Sequence, residues 1–301
     1  IYETTNGNEV TMSKIAILTD SSCDIPQEMA EKYGIDIMSF HILLDDVDYV
    51  ERESCTNTEF YDKMRLAKGV PSTAAITPIQ FCEKYCQYVD EGYTDVIHVP
   101  INKSGSSTYN NALMAQGMLR EERPEHHMKI HLLDPHTYSM VFGWYLCEMA
   151  RKLKNCAEIS HVIQEFEKQM NCMEIILGPY SLKQMKKSGR ISAAAAVMGE
   201  LMGVRPIITL IDGKTKVESK VRGDDKVVPA MIELCKKRAD GVENFDYMIG
   251  HTNIKQAEDL EKACRKAFGK APLVVFELGG VVSANTGPDT VALVYTGHLR
   301  G

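Results

Sequence analysis

The chain has 301 residues, of which 44% are hydrophobic and 25% charged, and its formal net charge is -7. This is the composition of an ordinary globular protein, and the length predicts about two domains. Lys and Arg are scattered, which argues against nucleic-acid binding, and no apolar run reaches the roughly 18 residues that a membrane-spanning helix needs.

The N-terminus and the cysteines bear on where the protein resides. The opening IYETTNGNEVTM has neither an apolar core nor a basic flank, so we expect no signal peptide. Met12 is a candidate natural start, with residues 1–11 as an extension that is disordered or foreign to the natural chain. The nine cysteines include no Cys-x-x-Cys pair, which argues against zinc and thioredoxin-type sites. Many unpaired thiols fit a reducing compartment, and we expect a cytoplasmic protein.

Strands and helices alternate along residues 12–158. Alternation of this kind predicts an N-terminal domain built on a parallel, doubly wound α/β sheet. Ligands of such sheets bind beyond the carboxyl ends of the strands, and hydroxyl-rich loops at Thr19, Thr73 and Ser104 are predicted near those ends. The predicted strands are 14–18, 35–44, 96–101 and 129–133, and the predicted helices are 27–33, 56–68, 78–87, 140–153 and one that starts at residue 109.

The segment 96–117 is the most informative part of this domain. An apolar strand runs into the small polar loop 102–108, and a helical pattern follows. The free N–H groups and the dipole of a helix N-terminus favour an anion, to which Ser106, Ser107 and Thr108 could add hydroxyl donors. The alternative is that these residues only cap the helix, and the local pattern leaves both interpretations open.

Residue Asp20 follows the first predicted strand and has two interpretations. Its carboxylate can cap a helix or bind a cation. Capping is favoured, because no second carboxylate has the spacing of a metal-binding loop.

The second region, residues 159–301, mixes a hairpin with helices and predicts a C-terminal α+β domain with a mixed sheet. Residues 205–223 form the predicted hairpin, which turns at Asp212-Gly213. The helix predicted at 188–204 is apolar around much of its circumference, so it is buried or lines an apolar cavity. The other predicted helices are 163–169, 181–187, 227–238 and 254–268, and the other strands are 172–177, 246–249, 273–277 and 290–295, with the Gly-rich segment GGVVSANTGP before the last strand.

Seven short motifs, in order from residue 14 to the C-terminus, make the chain resemble the DegV family. This family includes the fatty-acid-binding subunits of bacterial fatty acid kinase. The order of the motifs carries the resemblance, since each motif alone is weak. They are TDSSCDIP, PSTAAITP, SGSSTYNNA, LKQMKKSGRIS, RPIITLIDGK, KVRG and NTGPDTVALVY.

The resemblance implies two α/β domains with a long-chain fatty acid buried between them. It implies that Thr73 and Ser106 hold the carboxylate, and that Arg190 and Arg222 lie near the head group and the surface that meets a kinase. The protein would be no enzyme and need no cofactor. It would present the acyl carboxylate to an ATP-dependent fatty acid kinase catalytic subunit, with transient contact to a membrane surface. The candidate ligand-binding residues are Thr73, Thr77, Ser106, Ser107, Thr108 and Asn285.

Three motifs depart from the family pattern. The family's TSQPS loop is here TAAIT, over residues 73–77. A Ser-Ser pair is replaced by Asn102-Lys103, and the Gly of the following motif is Ser107. In the family's HTGPG motif, Asn285 replaces the His and Asp289 the second Gly. Asn285 can donate through its amide but cannot carry a proton charge.

Two other functions compete with this one. The first is binding of a different hydrophobic carboxylic acid that is not phosphorylated, which the Asn285 replacement suggests. The second is a serine hydrolase that uses Ser106, with His251 as the best alternative base. The hydrolase is disfavoured because the chain lacks a G-x-S-x-G elbow at Ser106. His98 lies inside a predicted strand, where a packed core histidine is the ordinary interpretation.

Overall fold

The computed structural model describes residues 2–6, 9–189 and 203–300. Helices are labelled α and strands β in chain order. Within these described residues the elements are β1 (Tyr2–Asn6), β2 (Glu9–Ser13), β3 (Ile15–Asp20), α1 (Gln27–Tyr33), β4 (Ile35–Met38), β5 (His41–Leu44), β6 (Val47–Val50), α2 (Asn57–Leu66), β7 (Ser72–Ala74), α3 (Pro78–Asp90), β8 (Asp95–Val99), α4 (Thr108–Glu122), β9 (Lys129–Leu132), α5 (Met140–Lys154), α6 (Ile159–Met170), β10 (Met173–Pro179), α7 (Lys183–Ser188), β11 (Val204–Ile211), β12 (Lys214–Arg222), α8 (Val227–Arg238), β13 (Tyr247–His251), α9 (Ile254–Phe268), β14 (Val275–Glu277), α10 (Gly280–Thr286) and β15 (Thr290–Thr296).

The chain divides into two compact units. The first comprises Ile1–Phe40 and Ala74–Met170, and the second comprises His41–Thr73 and Asn171–Gly301. The boundary expected at residue 158 differs from this division. Helix α6 groups with the first unit because it packs against α5 and buries Phe166 and Met170.

The first unit is organised by a four-stranded sheet in the order β4-β3-β8-β9, in which every neighbouring pair is parallel. Strands β3 and β8 are buried along their whole length, as expected for central strands covered on both faces. Thr19 Oγ1 donates to the carbonyl oxygen of Val99 at 2.7 Å and ties the two strand ends together. The predicted parallel α/β sheet is confirmed.

The second unit contains a six-stranded sheet in the order β12-β11-β10-β15-β13-β14, with β13 and β14 parallel and the other pairs antiparallel. The predicted mixed sheet is therefore confirmed. The hairpin of β11 and β12 turns where predicted: Asp212 and Gly213 have φ of 49° and 71°, as a two-residue turn with two positive φ angles requires. Strands β6, β5 and β7 form a separate three-stranded sheet.

A strand predicted in the first half of the chain is divided in the structure. The strand expected at 35–44 is two strands, β4 and β5, which belong to different sheets. A tight turn joins β5 to β6, with Asp45 and Asp46 at φ of 48° and 64°. Residues 1–11, expected as an extension, include β1 and part of β2, which pair in antiparallel fashion.

Two further observations concern the helices. Helix α10 lies in the Gly-rich segment GGVVSANTGP, for which the sequence predicted neither a helix nor a strand, and it is largely buried. Of the helix predicted at 188–204, residues 190–202 lie outside the described residues. Across the described ranges, no helix has the length and apolar character needed to cross a membrane.

Two glycines in helices of the first unit are expected to respond in opposite ways to replacement by alanine. An ideal Cβ on Gly143, in α5, would lie 2.3 Å from the carbonyl oxygen of Cys23, whereas one on Gly117, in α4, would meet no atom within 4 Å. We expect Gly143→Ala to destabilise the protein by roughly 1–3 kcal/mol because a backbone carbonyl cannot move aside cheaply. Gly117→Ala should stabilise it by about 0.5–1 kcal/mol. Thermal and urea unfolding of both variants check this prediction. A change in stability of the same sign in both variants would contradict it.

Candidate functional site

The buried carboxylate of Asp20 organises the strand ends of the first unit. Its Oδ2 accepts the backbone N–H of Ile101 at 2.7 Å, and its Oδ1 accepts that of Ser22 at 3.1 Å. Asp20 thereby caps the short 3-10 helix Ser21–Cys23. The predicted capping role is confirmed, and no cluster of His, Cys, Asp or Glu among the described residues could hold a metal ion.

The hydroxyl loop that follows Ile101 is held by Asn102. The side-chain oxygen of Asn102 accepts the N–H of Ser104 at 2.8 Å, and its carbonyl accepts that of Gly105 at 3.1 Å. An ideal Cβ on Gly105 would lie 2.2 Å from the hydroxyl of Tyr138, so only glycine fits there without a shift. Sequence reasoning treated Asn102 only as a departure from a family motif, and missed its role in shaping the loop.

The hydroxyls of Ser106 and Thr108 form a pair at the start of α4. Their oxygens are 2.9 Å apart, and Ser106 Oγ also accepts the N–H of Thr108 at 3.2 Å. One hydroxyl proton joins the two oxygens, so the other remains for a ligand. Ser107 is exposed, and its carbonyl accepts the N–H of Asn111 at 2.9 Å. The Ser106–Thr108 pair therefore contacts the start of α4 and keeps one hydroxyl donor. Capping of the helix and binding of an anion, the two interpretations of the sequence, are compatible.

The two threonines of the PSTAAITP motif differ in what their hydroxyls do. Thr77 is in a capping box: its hydroxyl donates to Gln80 Oε1 at 2.8 Å and accepts the N–H of Gln80 at 3.3 Å. It has no proton left for a ligand. Thr73 is exposed in β7, and among the described residues its hydroxyl has no partner. Of these two, Thr73 is the better donor for an anion.

The predicted position Asn285 lies near the end of α10, in the second unit. This residue is half-buried and donates through Nδ2 to the carbonyl of Val281 at 2.8 Å. The next residue, Thr286, is buried, as is Gln184 on α7. An ideal Cβ on Gly287 would lie 3.1 Å from Gln184 Oε1, so the Gln184 side chain rests against the Gly287 backbone.

Arg65 holds the chain that leaves α10. Its guanidinium donates to the carbonyl of Pro288 at 2.7 Å and to Asp289 Oδ1 at 3.2 Å. The residue that replaces a family glycine therefore has a partner on α2. Sequence reasoning missed Arg65, because a single arginine on an amphipathic helix carries no distinguishing signal.

Of the two arginines predicted near the head group, the structure describes only Arg222. Arg222 is exposed at the end of β12, and among the described residues it has no partner. The register of β12 on β11 shifts at a bulge near Glu218, so Lys220 and Arg222 share one face of the strand, and Lys214 and Lys216 share the other. Arg190 lies outside the described residues.

The residues of the alternative hydrolase show no nucleophilic arrangement in their own surroundings. The Ser106 hydroxyl pairs with Thr108 rather than with a base. His251 is buried at the end of β13, and burial lowers the pKa of its imidazole. His98 is fully buried, bonds to Tyr85 Oη at 2.7 Å, and has its pKa lowered to about 3 by burial, which confirms the packed core interpretation.

Comparison with known proteins identifies the family and the fold. The sequence profile of the DegV family, described as uncharacterised, matches residues 14–297. A DegV domain-containing protein from Clostridium perfringens is 28% identical over 293 residues, covering 94% of this chain and 99% of that protein. A fatty acid binding DegV family protein of solved structure, from Streptococcus agalactiae, is 26% identical, with a TM-score of 0.82 over 95% of this chain and 100% of that one. A stearic acid-binding protein from Eubacterium ventriosum, 23% identical, has the same fold, with a TM-score of 0.85 over 95% and 98% of the two chains.

The fold and the strand-end loops define a two-unit α/β protein with clusters of hydroxyl donors. The chain belongs to the DegV family, because the family profile spans nearly its whole length. The resemblance drawn from the seven sequence motifs is confirmed.

Proposed function

We propose that this protein binds a long-chain fatty acid and presents its carboxylate to a separate ATP-dependent kinase, in the cytoplasm. The observation that carries the proposal is the family match over residues 14–297, together with the family member from Streptococcus agalactiae that is described as fatty acid binding. In this role the protein is a binding subunit and not itself the enzyme. The bound fatty acid is its ligand, and no cofactor takes part.

The carboxylate is proposed to bind the hydroxyls of Thr73 and of the Ser106–Thr108 pair. Thr73 has an unpaired hydroxyl among the described residues, and the pair keeps one proton free. Hydrogen bonds from neutral donors to a charged acceptor are short and strong, so a carboxylate can be held without a fixed cation. Asn285 belongs to the same proposed head-group set.

The acyl chain supplies most of the binding energy. Each buried methylene contributes about 0.8 kcal/mol, so a chain of about sixteen carbons supplies on the order of 10 kcal/mol before the costs of association. Chains shorter than about ten carbons gain too little from burial. We therefore expect a monocarboxylic acid with a longer chain.

The direct experiment is mass spectrometry of lipid extracted from purified protein, followed by delipidation and titration with fatty acids of increasing length. The expected result is a long-chain acid in the extract and affinity that rises with chain length. Recovery of only a small polar acid, or no binding of any long-chain acid after delipidation, would refute the proposal. An esterase assay on the same preparation tests the hydrolase alternative.

Removing one head-group hydroxyl is expected to weaken binding without unfolding the protein. Thr73→Ala and Ser106→Ala should each reduce the binding free energy by roughly 1.5–3 kcal/mol, because each removes a donor to a charged group. Calorimetric titration with hexadecanoic acid measures this loss.

Thr56→Ala is the matched control for these two variants. Thr56 caps α2 through a capping box with Glu59, and it lies outside the proposed site. Its loss should lower stability by about 0.5–2 kcal/mol and leave affinity unchanged. If Ser106→Ala behaves like Thr56→Ala, Ser106 is a helix cap and not a ligand.

A further inference from the structure

The side-chain amide of Asn102, at the start of the hydroxyl loop 102–108, has a fixed orientation. The backbone N–H of Ser104 only donates, so the amide atom that meets it at 2.8 Å must be Oδ1. Asn102 is 1% exposed, and its Nδ2 is buried without a hydrogen-bond partner among the described residues. Two N–H groups that only donate are therefore left over just beyond the end of β8.

The shape of the loop does not account for this NH2 group. A buried N–H that finds no acceptor has lost its hydrogen bonds to water, which is costly and therefore rare in folded proteins. Holding the N–H of Ser104 needs only an oxygen, which serine and aspartate also provide in such turns. The NH2 group of Asn102 therefore calls for an acceptor from outside the described part of the chain.

The turn of the loop brings this amide close to the Ser106–Thr108 pair. The N–H of Gly105 bonds back to the Asn102 carbonyl at 3.1 Å, which places the Cα atoms of these two residues within about 7 Å, the span of a β-turn. Ser106 follows directly, and its Oγ lies 2.9 Å from Thr108 Oγ1 at the start of α4. One loop of seven residues carries both the buried amide donor and the remaining hydroxyl proton.

A carboxylate supplies the acceptors that these donors need. An ionised carboxyl group accepts about four hydrogen bonds and donates none. The proposed function assigns it hydroxyl donors from Thr73 and from the Ser106–Thr108 pair, which leaves room for the amide of Asn102. A hydrogen bond to an ionised acceptor is roughly twice as strong as one to a neutral acceptor, so this donor favours an acid over an alcohol.

We propose that Asn102 is a further ligand-binding residue, whose Nδ2 donates to the carboxylate of the bound long-chain acid and favours that acid over the alcohol of the same length. This inference rests on the proposed fatty-acid-binding function and adds a residue and a selectivity to the same site. Asn102 stands where the family has a serine. The replacement keeps an oxygen for the turn and adds the NH2 group.

The test titrates delipidated protein with hexadecanoic acid and with hexadecan-1-ol. Asn102→Asp keeps an oxygen for the N–H of Ser104 but exchanges the NH2 group for a second, negatively charged oxygen. Its affinity for the acid should fall by at least roughly tenfold to a hundredfold, the equivalent of one lost hydrogen bond to a charged group. The ratio of acid to alcohol affinity should fall as well, because the alcohol can donate to the new oxygen.

Asn253→Asp is the matched control. Asn253 also accepts a backbone N–H through its side-chain oxygen, that of Gln256 at the start of α9, and it lies outside the proposed site. Aspartate caps a helix as well as asparagine does, so this variant should bind both compounds like the parent. An equal loss in Asn253→Asp and Asn102→Asp would reduce the effect to added negative charge and overturn the inference.

Nuclear magnetic resonance of the parent protein gives a second readout that needs no variant. With asparagine labelled by 15N, the side-chain signals of Asn102 should move downfield when hexadecanoic acid saturates the protein, and less when hexadecan-1-ol does. Signals that stay in place with the acid would overturn the inference. The partner of Nδ2 would then be a bound water, with the buried Asp134 Oδ2 beside the loop as a second contact. This measurement decides the case if Asn102→Asp does not fold.

Failure of the inference and failure of the proposed function give different results. A parent protein that does not bind hexadecanoic acid would refute the proposed function. A parent that binds the acid, with the ratio of acid to alcohol affinity unchanged in Asn102→Asp, would leave that function intact and return Asn102 to a residue that only shapes the loop.

Discussion

Arg238→Ala is expected to destabilise the protein by about 3–5 kcal/mol, because it leaves a buried carboxylate without its cation. Arg238 ends α8, and its Nε donates to Glu174 Oε2 at 2.6 Å. Glu174 is only 6% exposed, and the same oxygen accepts the hydroxyl of Tyr295 at 2.6 Å. The hydrogen bond to Glu174 raises the pKa of the Arg238 guanidinium, which is therefore charged at neutral pH.

Urea unfolding followed by circular dichroism measures the loss, and hydrogen exchange in β10 and β15 locates it. Arg265→Ala is the matched control: Arg265 pairs with Glu261 on the surface of α9, and its loss should change stability by less than about 0.5 kcal/mol. Adding Glu174→Gln to Arg238→Ala should recover much of the loss, since a neutral amide carries no unpaired charge. A small effect of Arg238→Ala alone would show that water reaches Glu174.

Local patterns in the sequence predicted much of the fold. Helices α8 and α9 start and end at the predicted residues, because each has an apolar stripe of helical period. The Asp212-Gly213 turn was equally predictable, since few residue pairs adopt two positive φ angles easily. The assignment of 35–44 to one strand was wrong because an apolar period shows that residues are in strands but not to which sheet they belong.

The buried helix α10 shows a second limit of sequence-based prediction. Two glycines at its start favour a loop on intrinsic propensity. Tertiary contacts override that preference: Glu51 Oε1 accepts the N–H of Val281 at 2.7 Å, and Gly280 approaches Ile42 so closely that a Cβ would lie 2.6 Å from its methyl group. Contacts between residues more than 200 positions apart leave no local pattern.

The candidate site likewise contains residues that the sequence could identify and residues that it could not. Ser106 and Asn285 were identified because they lie in motifs shared with the DegV family. Gln184 was not, because it lies in the lysine-rich run KQMKKS, where a polar residue ordinarily faces solvent. Its burial comes from packing beside Gly287, which depends on the tertiary structure. Residues that act through long-range contacts therefore need the structure.

Under the proposed function, loss of the phosphoryl-transfer reaction is the second large effect that we expect, from Arg222→Ala and Arg190→Ala. A kinase that phosphorylates a bound fatty acid must accommodate triphosphate charge near the carboxylate. Guanidinium groups suit this task, because they stay charged and bind phosphate through two N–H groups. Each variant should lose roughly tenfold to a hundredfold in acyl phosphate formation, the equivalent of one charge-assisted hydrogen bond. Affinity for the fatty acid should stay near that of the parent.

The measurement pairs fatty-acid titration with acyl phosphate formation by the cognate kinase on the same preparations. Lys214→Ala is the matched control, because Lys214 lies on the same exposed strand as Arg222 but on its other face. Its reaction should be unchanged. Raising the salt concentration should reduce the reaction of the parent more than its lipid binding, since exposed charges are screened beyond about 10 Å at 0.1 M. Equal loss of binding and reaction would place the arginines in the lipid site, and no loss of either would make them ordinary solvated residues.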